Sequence, residues 1–252
     1  MARAVGIIPA RYGSTRLPGK PLIDLAGKPM IQWVLENAKK ASSLIDVFVA
    51  TDHSRIFQKV KEMGCEVFMT PSELPSGTDR IAFVAKEIDA EIVVNIQGDE
   101  PFLHPEDIDR VVHLLEEDPV PSVGTLVKRI QRKEEWESPN TAKVVVDENG
   151  YALYFSRSPI PFFRDGKAKD MFSQYALYKH VGIYSYRKDF LLQFAQWSPT
   201  PLEQIEKLEQ LRVLQKGYRI KTAETPFDPI CVDTPEDVAR VREWIQHNFI
   251  ER

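Results

Sequence analysis

Apolar positions recur along this chain in two alternating rhythms. Val5 to Ile8, Val47-Phe48-Val49-Ala50, Val67-Phe68-Met69 and Ile92 to Ile96 are short runs with the length and composition of buried strands. Between them the apolar residues fall at helical spacing. Met30, Ile31, Val34, Leu35 and Ala38 give one buried face, Ile56, Val60 and Met63 mark a second helix, and Ile81, Val84, Ala85 and Ile88 a third. The order β-α-β-α-β through Met69 implies parallel strands joined by right-handed crossovers.

From Ser122 onward the rhythm changes. Val123 to Val127 and His180 to Tyr186 read as strands, and two β-rich runs, Lys143 to Val146 and Tyr151 to Phe155, flank Asp147-Glu148-Asn149-Gly150. Asn-Gly between such runs signals a hairpin. These strands are expected to be antiparallel and to form a smaller lobe, roughly residues 128–190, within one domain spanning the chain. Phe162 and Phe163 fit either a dimer surface or local core. Pro201 to Arg212 predicts one continuous helix with a stripe of Leu202, Ile205, Leu208 and Leu211, and Glu203, Glu206 and Glu209 read as its solvated face. Thr234, Pro235 and the acids after them predict the start of a final helix buried through Val238, Val241, Trp244 and Ile245.

With 252 residues, 43% of them hydrophobic, the chain can bury a substantial core. A net charge of −4 argues against a general nucleic-acid binder but permits a local cationic pocket. Cys65 and Cys231 are far apart and in no metal-like spacing, which suits a reduced cytoplasmic protein with structural thiols. No apolar stretch approaches the ~20 residues of a membrane-spanning helix, and no secretory signal is expected.

Candidate chemistry sits where the strands end. After Val5–Ile8 comes a loop with Arg11, Gly13, Arg16, Gly19 and Lys20, three cations for a polyanion at the carboxyl edge of an α/β sheet. It is not a P-loop, because five residues separate its glycines and Pro21 follows Lys20 where a hydroxyl is required. The same residues could form a solvated basic turn. Ser76-Gly77-Thr78 offers hydroxyls and amides that could read a nucleobase or merely start a helix capped by Thr78 or Asp79. The Ile92 run ends in Gln97-Gly98-Asp99, and Asp99 is placed to hold a hard cation against phosphate oxygens. Asp233 precedes the final helix cap and is a second candidate ligand.

Taken together, these stretches resemble the 3-deoxy-manno-octulosonate cytidylyltransferase (CMP-Kdo synthetase) family. The strings that carry the likeness are I-P-A-R-Y-G-S-T-R-L-P-G-K-P from Ile8, S-G-T-D-R from Ser76, N-I-Q-G-D-E-P from Asn95, G-Y-A-L-Y-F-S-R from Gly150, H-V-G-I-Y from His180, L-E-Q-I-E-K-L-E-Q-L-R from Leu202 and V-D-T-P-E-D from Val232. They run in order along almost the whole chain; the second lobe departs most, and its segment Asp165 to Tyr178 matches no family string.

The resemblance implies an α/β fold of the nucleotide-diphospho-sugar transferase type. It also implies transfer of CMP from CTP to the anomeric hydroxyl of 3-deoxy-D-manno-octulosonate (Kdo), with release of pyrophosphate, for lipopolysaccharide assembly. The nucleotide side would be Arg11, Arg16, Lys20, Ser76, Gly77, Thr78, Gln97 and Asp99. Lys20 would stabilise the leaving pyrophosphate, and Asp99 and Asp233 would share Mg2+. Gln97, Arg157, Arg164, His180, Tyr184, Glu209 and Gln210 would line the sugar-acid pocket. The implied partners are CTP, Kdo and a second copy in a homodimer, with neither nucleic acid nor membrane insertion. Another sugar acid, 8-amino-Kdo or a sialate, and a non-catalytic sugar-nucleotide sensor are the alternatives.

Overall fold

A computed structural model describes residues 2–13, 17–164 and 171–250, and the chain divides into two compact units, residues 1–109 with 229–252 and residues 110–228. In the first unit, β1 (Ala4–Ala10) leads through a short hairpin of β2 (Asp24–Leu25) and β3 (Lys28–Pro29) into α1 (Met30–Ala38). Next come β4 (Leu44–Thr51), α2 (Ser54–Glu62), β5 (Glu66–Met69), α3 (Gly77–Ala85) and β6 (Ile92–Asn95), and α4 (Pro105–Glu117) leaves the unit.

The strands pair in the order β6-β1-β4-β5, all parallel. β1 is the central strand, and its Val5, Ile7 and Ile8 are fully buried together with Val93 and Val94 of β6. Strands covered on both faces need unbroken apolar runs, which is why these segments do not alternate. The chain moves outward from β1 through β4 to β5, then returns to β1's other side as β6. The strand order therefore reverses between β1 and β6, where a crevice opens at the carboxyl ends of an α/β sheet.

The second unit contains β7 (Val123–Arg129), α5 (Lys133–Glu137), β8 (Lys143–Val146), β9 (Ala152–Ser156), α6 (Met171–Gln174), β10 (Tyr178–Arg187), α7 (Lys188–Phe194), α8 (Pro201–Glu206), α9 (Leu211–Gln215) and β11 (Ile220–Glu224). β10 is antiparallel to β7 and β8, β8 is antiparallel to β9, and β11 joins β7 in parallel. The Asn149-Gly150 turn closes as expected, with Gly150 N donating to Asp147 O and Asp147 N to Tyr151 O. Phe163 packs with Trp136, Ile130 and Leu177, whereas Phe162 is 85% exposed, so the two neighbouring aromatics divide between core and surface.

The predicted helix from Pro201 to Arg212 is two helices. Lys207 takes a left-handed conformation (φ 54°) and breaks it between α8 and α9. The break turns Ile205 outward, to 77% exposure, and Glu203 inward. Glu203 accepts from Thr200 N and from Arg212 Nε and Nη2, and Glu206 accepts from Ser156 Oγ and Arg157 N. Neither acid belongs to a solvated face.

The chain re-enters the first unit for α10 (Pro235–Ile245). Thr234 caps it as expected and forms a capping box, with Thr234 Oγ1 accepting from Asp237 N and the Asp237 carboxylate accepting from Thr234 N. Val238, Val241 and Ile245 pack with Leu25, Met30 and Val232.

Candidate active site

Four segments of the first unit meet at the crevice between β1 and β6. β1 ends at Ala10 and delivers Arg11 and Tyr12. Tyr12 is the anchor of this loop. Its N–H donates to Asp52 Oδ1, its carbonyl accepts from Gly19 N, and its ring stacks on His53 with centroids 3.9 Å apart. Gly19, at φ 68°, turns the chain into a single 3-10 turn, Lys20–Leu22, which starts Lys20 on its way to the crevice. Arg16 lies outside the described residues.

β6 delivers Gln97, Gly98 and Asp99. A Cβ on Gly98 would stand 2.9 Å from the Pro9 carbonyl oxygen and 3.5 Å from Ile8 Cγ2, so this loop crosses β1 at a separation only glycine allows. Backbone oxygen cannot swing aside as a flexible side chain does. Gly98→Ala is therefore expected to displace Asp99 and to lower kcat/KM about tenfold without unfolding the protein. Steady-state kinetics beside a thermal melt checks this, and unchanged kinetics would refute the close-approach argument.

The third segment, before α10, is fastened to the second by Val232 N donating to Asp99 O at 2.9 Å. That bond and the capping box, which also holds Asp233 N on the Asp237 carboxylate, bring Asp233 beside Asp99. Lys20 Nζ donates to Asp99 Oδ2 at 2.7 Å and to Asp233 Oδ1 at 2.8 Å. Burial works against the lysine's charge, but the two carboxylates outweigh it and hold its pKa above the usual lysine value. Beneath this cluster Glu100 is buried, its Oε2 has no hydrogen-bond partner, and burial with the neighbouring Asp99 charge pushes its pKa up to about 7.

The fourth segment carries Ser76 and Gly77. Ser76, rather than Thr78 or Asp79, is the cap of α3, its Oγ accepting from Asp79 N. Thr78 is buried, while Ser76 and Gly77 line a cleft of about 490 Å³ with Arg11, Lys20, Gln97 and Asp99. Arg80 also lines it and was not singled out from the sequence. Its buried guanidinium binds Asp52 Oδ2 at 3.1 Å, Pro71 O at 3.2 Å and Thr70 Oγ1. Asp52 thus joins Arg80 of α3 to Tyr12 of the basic loop. Asp52 stands at a strand's carboxyl end, and Arg80 closes the S-G-T-D-R string. Those were the available signals.

The remaining candidates belong to the second unit. His180 and Tyr184 have ring centroids 5.2 Å apart on β10, beside a register shift against β7. Tyr184 is driven well up by burial, with smaller contributions from Tyr186 and Glu209. Gln210 is buried, and its Nε2 has no hydrogen-bond partner. Arg164 is exposed. The Arg157 guanidinium is engaged by backbone, with Nε on Glu206 O at 2.8 Å, Nη1 on Pro139 O at 3.0 Å and Nη2 on Lys207 O at 3.3 Å. Its own carbonyl accepts from Lys143 Nζ at 2.5 Å, a fully buried ammonium that also serves Ser138 O and Thr141 O.

His180 Nε2 lies 3.0 Å from Thr125 Oγ1, whose hydrogen goes to Ile183 O at 2.7 Å. The hydroxyl therefore accepts from Nε2–H, and Nδ1 is left as an acceptor. Burial holds the imidazole pKa down at about 3, below its usual 6.5. The unfolded chain takes up this proton first, so the stability is present above pH 6.5 and is lost as pH falls toward 3. Between pH 7 and pH 5 the wild type is expected to lose up to about 2 kcal/mol more than His180→Asn. Urea unfolding at both pH values reads the difference, and parallel losses would refute it.

Among the described residues no group of three or more His, Cys, Asp or Glu is arranged to hold a metal, and no helix is long and apolar enough to cross a membrane. Two carboxylates without a third fit an ion that arrives with phosphate oxygens, since magnesium takes one or two carboxylates plus substrate phosphates.

Residues 5–220 match the family model described as cytidylyltransferase. The 3-deoxy-manno-octulosonate cytidylyltransferase of Geotalea uraniireducens is 53% identical over 97% of this chain and 99% of its own. That of Geobacter sulfurreducens is 53% identical over 95% and 98%. A solved structure of a CMP:2-keto-3-deoxy-manno-octonic acid synthetase complexed with CTP matches with a TM-score of 0.92 and 42% identity, over 98% of this chain and 100% of that one. A 4-diphosphocytidyl-2C-methyl-D-erythritol synthase from Anaerococcus prevotii shares the fold at a TM-score of 0.63 and 13% identity.

Proposed function

The chain belongs to the cytidylyltransferase family, and from that premise we propose that it transfers CMP from CTP to the anomeric hydroxyl of Kdo, releasing pyrophosphate and making CMP-Kdo for lipopolysaccharide assembly. The observation that carries this reading is the meeting of Lys20, Asp99 and Asp233 at the strand-order reversal. Relatives about half identical over nearly the full length, all bearing one enzyme name, support the choice of sugar. The family match runs through both units, which supports one catalytic domain.

In this reaction the anomeric oxygen forms a bond to the α-phosphorus, and the bond from that phosphorus to the bridging oxygen of the β-phosphate breaks. Such transfers need positioning and charge neutralisation more than covalent help. Arg11 and Lys20 would meet the triphosphate, with Lys20 balancing charge on the departing pyrophosphate. Ser76, Gly77 and Gln97 would orient the cytidine side. Asp99 and Asp233 would hold Mg2+, which supplies charge neutralisation and lowers the pKa of the attacking hydroxyl. On the sugar side, His180 Nδ1 and the unpartnered Gln210 Nε2 suit hydroxyl and carboxylate groups, with Tyr184 and Glu209 beside them. In its present geometry Arg157 secures the end of α8. We place the protein in the cytoplasm, as a homodimer.

Pyrophosphate release with CTP, Mg2+ and a panel of Kdo, 8-amino-Kdo and a sialic acid tests the reading. The expected result is rapid release with Kdo. Release only with a different acid would reassign the substrate, and none with any acid would favour a sensor.

A further inference from the structure

Lys20 spends its ammonium on the pair of carboxylates that the proposed chemistry requires for a cation. Its Nζ sits 2.7 Å from Asp99 Oδ2 and 2.8 Å from Asp233 Oδ1. Magnesium takes oxygen at about 2.0–2.1 Å, so each leg would have to shorten by only about 0.7 Å to put such an ion where the nitrogen stands. The seat cannot hold both. Lys20 is 15% exposed, and its partners 30% and 36%, so solvent does not screen the cluster fully.

We propose that the Lys20 ammonium is a placeholder at the Asp99–Asp233 seat, which a divalent cation enters only when a polyphosphate draws the lysine away. The inference deepens the functional reading and rests on its assignment of this pair to a divalent ion. Three features carry it. Two carboxylates with one ammonium leave a net charge of −1, a poor seat for a dication, whereas removing the ammonium leaves −2, and ligand charge count tunes divalent affinity. The lysine stem is long and flexible, and it rises from a 3-10 turn whose Pro21 also lines the cleft, so its head can change partners without moving backbone. Arg11 lines the same cleft and can attract the polyphosphate that would compete for Lys20. Lys20 would then serve twice, neutralising the acids before nucleotide arrives and the triphosphate afterwards.

The test is Mn2+ binding to the whole protein, followed by the electron paramagnetic resonance signal of free Mn2+. Without nucleotide, Lys20→Met is expected to bind Mn2+ at least about tenfold more tightly than the wild type. Lys20→Arg, which keeps the charge, should stay near the wild type, and Lys20→Met with Asp99→Asn should lose the gain. Thermal melts establish that each variant is folded, and Lys20→Gln takes the place of Lys20→Met if that variant is not. Equal Mn2+ affinity in wild type and the uncharged variant overturns the proposal. A parallel titration with CTP separates it from the functional reading. If wild type adds nothing to the Mn2+ affinity of CTP itself, the cation assignment fails. If it does add affinity while Lys20→Met gains nothing, only the placeholder fails.

Discussion

Asp99→Ala is expected to lower turnover at least a hundredfold, an effect of about 3 kcal/mol on the barrier, while the protein stays folded. Asp99 is 30% exposed, projects from a loop after β6 and touches Lys20, so its removal opens no core cavity. A partly exposed ion pair contributes at most about 1 kcal/mol to stability, and Asp233 keeps Lys20 in place. The loss should therefore fall on kcat, because the carboxylate would act where charge develops in the transition state. Pyrophosphate release at saturating CTP and Mg2+, beside a thermal melt, measures both quantities. Turnover near the wild-type value would remove Asp99 from the mechanism.

Glu203→Leu should be the most destabilising single change considered, by about 3–5 kcal/mol. The Glu203 carboxylate receives two hydrogen bonds from Arg212, at 2.8 and 2.5 Å, and a third from Thr200 N at 3.0 Å. Arg212 also donates to Trp197 O and lies over the Phe194 ring. Both side chains are buried. Removing the acid takes away the two charged hydrogen bonds of a buried guanidinium, which keeps Trp197 O and the more distant Glu209 carboxylate, 3.7 Å from Nη2. For a chain of this size the cost corresponds to a fall in Tm of roughly 10 °C. Replacing both partners, as in Glu203→Leu with Arg212→Met, should recover part of the loss, since no charge is then stranded. A single-variant loss below about 1 kcal/mol, by urea unfolding, would show that the pair is not buried in solution.

Where a segment's pattern and its burial agree, the sequence reading and the structure coincide. β1 and β6 could be seen as apolar runs because both of their faces are covered, and β4 and the edge strand β5 by their apolar runs although β5 buries only Val67. α10 could be seen because its cap and most of its apolar face are local signals, although Trp244, expected on that face, is exposed. β11 was missed because Ile-Lys-Thr-Ala-Glu has a single strong hydrophobe, and its place depends on pairing with β7, nearly a hundred residues earlier. The α8–α9 break was missed because Lys207 bends the chain without glycine or proline, and the leucine spacing continues across the bend. Within the candidate site, Lys20, Asp99 and Asp233 stood out by residue type at strand ends and by resemblance. Arg80 and Asp52 did not, since nothing local tells a buried arginine paired across the fold from an exposed one. The link from Val232 N to Asp99 O was equally hidden, because a backbone hydrogen bond between distant segments leaves no trace in residue type.

That link has a consequence for synthesis. The segment that would complete the cation seat leaves the ribosome only after the whole of residues 110–228. A nascent or prematurely terminated chain can display the basic loop and one acid, yet it cannot assemble the second. Fragments that stop short of Asp233 are thereby expected to lack the proposed nucleotide chemistry and to leave the cell's pyrimidine supply untouched.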